Sequence, residues 1–148
     1  MPSAMLRGFL GFVAGAIAVL TFHQGMVAFL HVVAPNWVPF APYRIVPVPP
    51  FGIPTIVSSC FWGGVWGVPY GLLLPRFTWP QWLSGLILGF LAATVGMFIV
   101  APLKGMAIAA GWHPLGILRS LLINGAYGVG VGLILPLLMP RSLVRAHT

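Results

Sequence analysis

The chain has 148 residues, 59% of them hydrophobic and 5% charged, with seven Lys and Arg, no Asp, no Glu and a formal net charge of +7. Without a carboxylate side chain it cannot build a paired-carboxylate glycosidase, a Ser-His-Asp triad, a carboxylate-ligated Mg²⁺ or Ca²⁺ site, or an Asp/Glu proton relay. At a mean hydropathy of +1.04 there is too little polar surface to coat a soluble globule, so the chain reads as an all-α integral membrane protein.

Four transmembrane helices are predicted, since a bilayer core takes roughly 20 apolar residues. The first covers about 5–33. Arg7 ahead of an apolar run and Ala16-Ile17-Ala18 imitate a cleavable signal, but the run continues past that point and is expected to be retained. A connection over 34–53 follows, with Pro35, Pro39, Pro42, Pro47, Pro49 and Pro50. So much proline predicts a stiff, extended surface segment, either a connector or a lid or docking element.

The second span is expected over 54–74, the third over 83–110 and the fourth over 118–138. Pro102 is expected to kink the third, and Gly111 to Pro114 to turn the chain into the fourth. Gly63, Gly64, Gly67 and Gly71, with Gly125, Gly128 and Gly132, place small residues about four apart, which predicts a close inner contact between spans two and four. Trp37, Trp79, Trp82 and Trp112 lie beside span ends as interface anchors. Cys60 reads as a small packing residue.

Sliding the chain by 61 residues places Ser59, Gly64, Trp66, Gly67, Val68, Gly71, Leu72, Leu74 and Pro75 on Ser120, Gly125, Tyr127, Gly128, Val129, Gly132, Leu133, Leu135 and Pro136. With small gaps, Leu6, Gly8, Gly11 and Gly25 fall on Leu83, Gly85, Gly89 and Gly105. The single transmembrane domain, 1–148, is therefore expected to be two repeated helical hairpins, 6–75 and 83–136, in parallel orientation about an axis along the membrane normal. An even number of spans puts both termini on one face with Arg7, Arg76, Arg141 and Arg145. The excess of cations there predicts that this face is cytoplasmic.

Lys104 and Arg119 stand at similar depth on the last two helices, close to the repeat equivalents Gln24 and Ser58. A polar cluster is expected at the non-cytoplasmic end: His23, Gln24, Ser58, Ser59, Lys104, Arg119, Ser120 and Asn124. A charge at membrane depth costs a few kcal/mol unless paired or carried to the interface. With no acid in the chain, Lys104 and Arg119 are expected to share one external anion, a lipid headgroup or a partner carboxylate, with Gln24, Ser120 and Asn124 lending hydrogen bonds. The competing expectation is that both cations snorkel to lipid phosphates. His23, His31 and His113 are weak candidates for a haem or a metal, because no His-x-x-x-His or Cys-x-x-Cys spacing accompanies them. No cofactor is expected, and Ser58 or Ser59 with His23 lacks the acidic partner of a catalytic triad.

At Pro49-Pro50-Phe51-Gly52-Ile53-Pro54, Phe61-Trp62-Gly63-Gly64-Val65-Trp66-Gly67, Pro102-Leu103-Lys104-Gly105 and Gly111-Trp112, the chain resembles a group of small, uncharacterised, four-helix integral membrane proteins of proteobacteria. Phe22-His23-Gln24-Gly25-Met26 is similar to the group's first-helix pattern. The resemblance implies four helices and a bacterial inner membrane, and it carries no activity.

Two function classes follow. The first is a non-enzymatic accessory or assembly subunit of a larger membrane complex, whose cations meet anionic lipid or a partner's acids. The alternative is a small oligomeric transporter or channel module for an anionic solute. Nucleic acid is excluded as a partner, because the cations are scattered singly. In a Cys60→Ser background, Ser3→Cys and Ala146→Cys are expected to react with an impermeant maleimide only after the membrane is opened. Labelling of either in intact cells would reverse the orientation.

Overall fold

A computed structural model describes residues 2–140; Arg141 and Arg145, two of the cations behind the expected orientation, lie outside the described residues. Four helices are long and apolar enough to cross a membrane: α1 (Ala4–Val33), α2 (Thr55–Arg76), α3 (Gln81–Leu103) and α4 (Pro114–Leu138). A two-residue antiparallel ladder, β1 (Pro47–Val48) with β2 (Ile53–Pro54), sits before α2. Among the described residues the regular structure is thus all-helical apart from this short hairpin in the connection.

Local chemistry sets the helix ends. Ser3 caps α1, its Oγ accepting the Leu6 N–H at 3.2 Å, and Pro114 opens α4 at a position where a missing N–H costs nothing. Inside α1 the turn over Val19–His23 is a wide π turn, and α3 has another over Gly96–Val100. The second lies just before Pro102, whose ring crowds the carbonyl one turn back, and a widened turn relieves that crowding.

The third span ends earlier than its hydropathy suggests. After Leu103 the backbone turns at Gly105 (φ 74°), and Ala109, Ala110, Gly111 and Trp112 all have positive φ (50°, 53°, 66° and 59°). Right-handed helix cannot pass through that conformation. Residues 104–113 form a compact reversal, and Lys104 follows the last turn of α3 instead of lying within the helix.

Helix packing differs from the expected contact between spans two and four. The tight glycine seams lie within each hairpin. A Cβ on Gly11 would run into the Gly67 carbonyl and one on Gly15 into the Gly63 carbonyl, joining α1 to α2. In the second hairpin, Gly85 faces the Gly128 carbonyl and Gly89 faces that of Asn124, joining α3 to α4. Helix backbones this close gain dispersion and Cα–H···O contacts that larger residues forbid. The hairpins meet through α1 and α4, where Phe22 covers Gly130, giving the order α2, α1, α4, α3 across the bundle. From α4 to α2 there is one polar link: the buried Tyr127 hydroxyl donates to the Gly63 carbonyl at 2.6 Å. Gly67→Ala and Gly128→Ala should each lower stability by about 1–3 kcal/mol through overpacking. Gly25 has open space around its would-be Cβ, so Gly25→Ala should raise stability by about 0.5 kcal/mol. Thermal melts in mild detergent would check both signs.

A candidate anion site between the hairpins

The proline-rich connection lies across the end of the bundle, mostly exposed, and is anchored there by one buried residue. Val38 is fully buried and packs with Val27, Leu30 and Ile123. Around it the strap is held by polar contacts: His31 Nδ1–H donates to the Val38 carbonyl at 2.8 Å, and Trp37 Nε1–H donates to the Leu115 carbonyl at 3.1 Å. The Tyr43 hydroxyl donates to the Leu20 carbonyl at 2.7 Å, within the π turn of α1, where carbonyls are loosened from the helix ladder. Thr55 Oγ1 donates to the Val46 carbonyl at 2.7 Å, tying the strap to the start of α2.

One further contact fixes the chemistry of a neighbouring side chain. The Tyr43 N–H donates to Gln24 Oε1 at 2.7 Å, so the Gln24 amide must present Nε2 to the His23 Nδ1 lying 3.2 Å away. An amide nitrogen only donates, so Nδ1 of His23 accepts. Neutral His23 then carries its proton on Nε2 and offers a donor on that side. Gln24 is 7% exposed and held at both ends, which makes it a positioning residue for His23.

His23 lines two adjoining cavities. The first, of about 380 Å³, takes a polar side chain from every helix or its immediate end: His23 from α1, Thr55, Ser58 and Ser59 from α2, Lys104 after α3, and Asn124 from α4. Its apolar lining includes Trp62, Trp66, Val95, Val100 and Tyr127. The second, of about 350 Å³, is lined by Arg119, Ser120 and Asn124 together with Phe40 of the strap, and shares His23, Gly96 and Asn124 with the first. Its size and that of its neighbour lie in the ordinary range for small-molecule sites.

Lys104 and Arg119 therefore face different spaces. Arg119 already has partners: its Nη1 donates to the Trp37 carbonyl at 2.9 Å, and its guanidinium carbon lies 5.7 Å from the centre of the Phe40 ring. A charge-assisted hydrogen bond with a cation–π contact offsets much of the cost of placing the charge there. Of the other expected residues, Ser58, Ser59 and Asn124 join Lys104 at the first cavity, and Ser120 joins Arg119 at the second. Asn124 Nδ2 donates to the Ser120 carbonyl at 3.0 Å. Gln24 lines neither cavity. His31 is engaged with the strap and His113 is exposed; among the described residues no group of side chains is arranged to hold a metal ion.

Thr55, Trp62, Trp66 and Tyr127 were not among the expected site residues. A signal for three of them exists: Thr55, Ser58/Ser59, Trp62 and Trp66 recur every three or four residues, so they share a face of α2. On α3, Ala92, Gly96 and Val100 do the same, and Lys104 follows four residues on, just past the helix end. Compared with known proteins, the chain matches no family model, no curated sequence and no solved structure.

The tautomer of His23 is open to direct measurement. Its ¹⁵N side-chain resonances should show the proton on Nε2. Gln24→Glu, which supplies acceptors both to the Tyr43 N–H and to the imidazole, should move the proton to Nδ1. An Nδ1–H tautomer in the unsubstituted protein would remove the Gln24 role.

Proposed function

We propose that this protein is a non-enzymatic membrane subunit that holds an anionic group between its two hairpins, at the end of the bundle covered by the strap. The carrying observation is the 380 Å³ cavity to which all four helices bring polar side chains, with Lys104 among them, in a chain without one acidic side chain. His23 Nε2–H, the Ser58 and Ser59 hydroxyls and the Lys104 ammonium make the polar part rich in donors. An anion entering it gains charge-assisted hydrogen bonds away from bulk water. An anionic lipid headgroup or a partner carboxylate supplies the same chemistry. We take the protein to be an accessory or assembly component of a larger membrane complex in the bacterial inner membrane, with both termini cytoplasmic.

The two hairpins are, on this reading, copies of one unit in parallel orientation. Support comes from their seams: Gly11 on Gly67 and Gly15 on Gly63 are matched by Gly85 on Gly128 and Gly89 on Asn124, and the Arg7 carbonyl at Gly71 by the Gln81 carbonyl at Gly132. α2 and α4 keep the register read from the sequence. α1 and α3 favour a different one, with Gly11 on Gly85 and Gly15 on Gly89, in place of the gapped match of Gly11 with Gly89.

A second reading, passage of a small anion through an oligomer, is favoured by the adjoining cavity with Arg119, since an anion at His23 and Asn124 has a second cationic space beside it. Native mass spectrometry from mild detergent separates the two: co-purifying unrelated chains favour the subunit, a closed homo-oligomer the passage.

Lys104→Gln should reduce retention of anionic lipid or inorganic phosphate about fivefold, consistent with about 1 kcal/mol per cation near anionic headgroups. Arg119→Gln should act elsewhere, speeding hydrogen exchange of the strap amides from 37 to 43. If Lys104→Gln leaves retention of both anions unchanged, the anion site is refuted.

A further inference from the structure

The first cavity has its one cation, Lys104, at the strap end, apolar side chains along its walls and an opening along one side, a combination that a soluble anion does not need. α2 and α3 are joined at their near ends, where the Tyr70 hydroxyl donates to the Gln81 carbonyl at 2.8 Å. Toward the strap they stand apart and form opposite walls of the cavity, Ser58, Trp62 and Trp66 on one side and Ala92, Val95 and Val100 on the other. α1 and α4 close the back with Val19, His23, Asn124 and Tyr127. Trp62 is 58% exposed and Val100 39% exposed although both line the cavity, so they are the two lips of its opening. Phe61, Val65, Phe98 and Ile99, also exposed, place that opening on the apolar flank of the bundle.

Along the helix axis the lining changes character. From Lys104 to Ala92 the wall of α3 runs roughly 18 Å, at ~1.5 Å per residue. Lys104 lies at the strap end with Thr55 below it; Ser58 and Ser59 come next, level with Val95 and Ala92, and Asn124, Trp66 and Tyr127 lie deepest. A cavity of about 380 Å³ is too small for a whole diacyl lipid. It suits a headgroup at Lys104 and the first part of one chain, the remainder leaving between Trp62 and Val100.

Resting on the anion site proposed above, we infer that its occupant is an amphiphile, a lipid with a net-negative phosphate headgroup, which enters sideways from the bilayer between α2 and α3. The head is held by Lys104 and the donors beside it, and one chain lies on the stripe of Ala92, Val95 and Trp66. Sideways entry leaves the strap and its hydrogen bonds in place.

The test uses the full chain in phosphatidylcholine nanodiscs doped with phosphatidylglycerol carrying a diazirine on one acyl chain, with cross-links mapped by mass spectrometry after irradiation. Cross-links should concentrate on Trp62, Val95 and Val100 at least fivefold over the outward-facing Phe9 and Leu137. Lys104→Gln should reduce them about fivefold. Val95→Trp, which fills the space beside the opening, should reduce them similarly; Ala92→Val is the milder variant should the first fail to fold. Even labelling of the whole apolar surface, with phosphate binding that depends on Lys104, would overturn the lipid inference and keep the anion site. Labelling by a phosphatidylcholine probe equal to that by phosphatidylglycerol, and indifferent to Lys104, would overturn the headgroup selection. Loss of Lys104 dependence for both phosphatidylglycerol and phosphate would remove the anion site as well.

Discussion

Gly11 against Gly67, and Gly85 against Gly128, bring the backbones of each hairpin to a separation that no side chain would permit. In a bilayer, where apolar surface gains little by leaving lipid, helix pairs are held by such close contact and by hydrogen bonds. The seams therefore decide how the rest is arranged. Because α1 is committed to α2 on one face and α4 to α3 on one face, the hairpins associate through their remaining faces, α1 on α4. α2 and α3 become the outer helices, tied at their short connection and free to part at the other end. The cleft between them is a consequence of where the glycines lie.

Breaks in helical regularity are concentrated where that cleft is. Both wide turns, Val19–His23 and Gly96–Val100, contribute lining residues, Val19 and His23 from one and Gly96 and Val100 from the other. A π turn shifts the helix face by an added residue and leaves a carbonyl poorly matched to its own ladder. In α1 the Leu20 carbonyl takes the Tyr43 hydroxyl from the strap. The same tyrosine, through its backbone N–H and Gln24, determines which nitrogen of His23 can donate. The irregular turn, the strap and the cavity chemistry are thus joined through one residue, Tyr43, whose own φ of 53° is unusual for a tyrosine.

Four spanning helices were legible from hydropathy alone, because chain length in lipid leaves few alternatives. The end of α3 was not, since residues 105–110 are as apolar as a helix but adopt left-handed backbone at Ala109 and Ala110, where composition carries no warning. The glycine pattern marked the right residues and the wrong partners: spacing shows that a helix face is small, and not which neighbour it meets. At the site, Lys104, Ser58, Ser59 and Asn124 were named from depth along the helices, a one-dimensional measure that four antiparallel spans preserve. Trp62 and Trp66 were passed over because depth was used without the helical face, although their spacing with Ser58 and Ser59 places them beside the polar residues. How the strap is anchored was not legible, for a related reason. Proline content predicts stiffness, but the buried Val38 and the hydrogen bonds of Trp37 and Tyr43 depend on surfaces distant in sequence.

Lys104 and Arg119 look alike in the sequence, two cations at similar depth with no acid to answer them, yet their surroundings separate them by chemistry. Arg119 has a planar head that can point one nitrogen at a carbonyl and lay its face near a ring, and Trp37 and Phe40 supply both from the strap. Its charge is spread, and neutral groups suffice to hold it. Lys104 carries a compact, strongly hydrated ammonium that a neutral carbonyl satisfies less well. It follows the C-terminal turn of α3, where the helix dipole favours a cation, and it stands at the rim of the cavity that reaches His23 and Asn124. Of the two, the arginine pins the strap, and the lysine stands exposed at the cavity rim, its ammonium without a hydrogen-bond partner among the described residues.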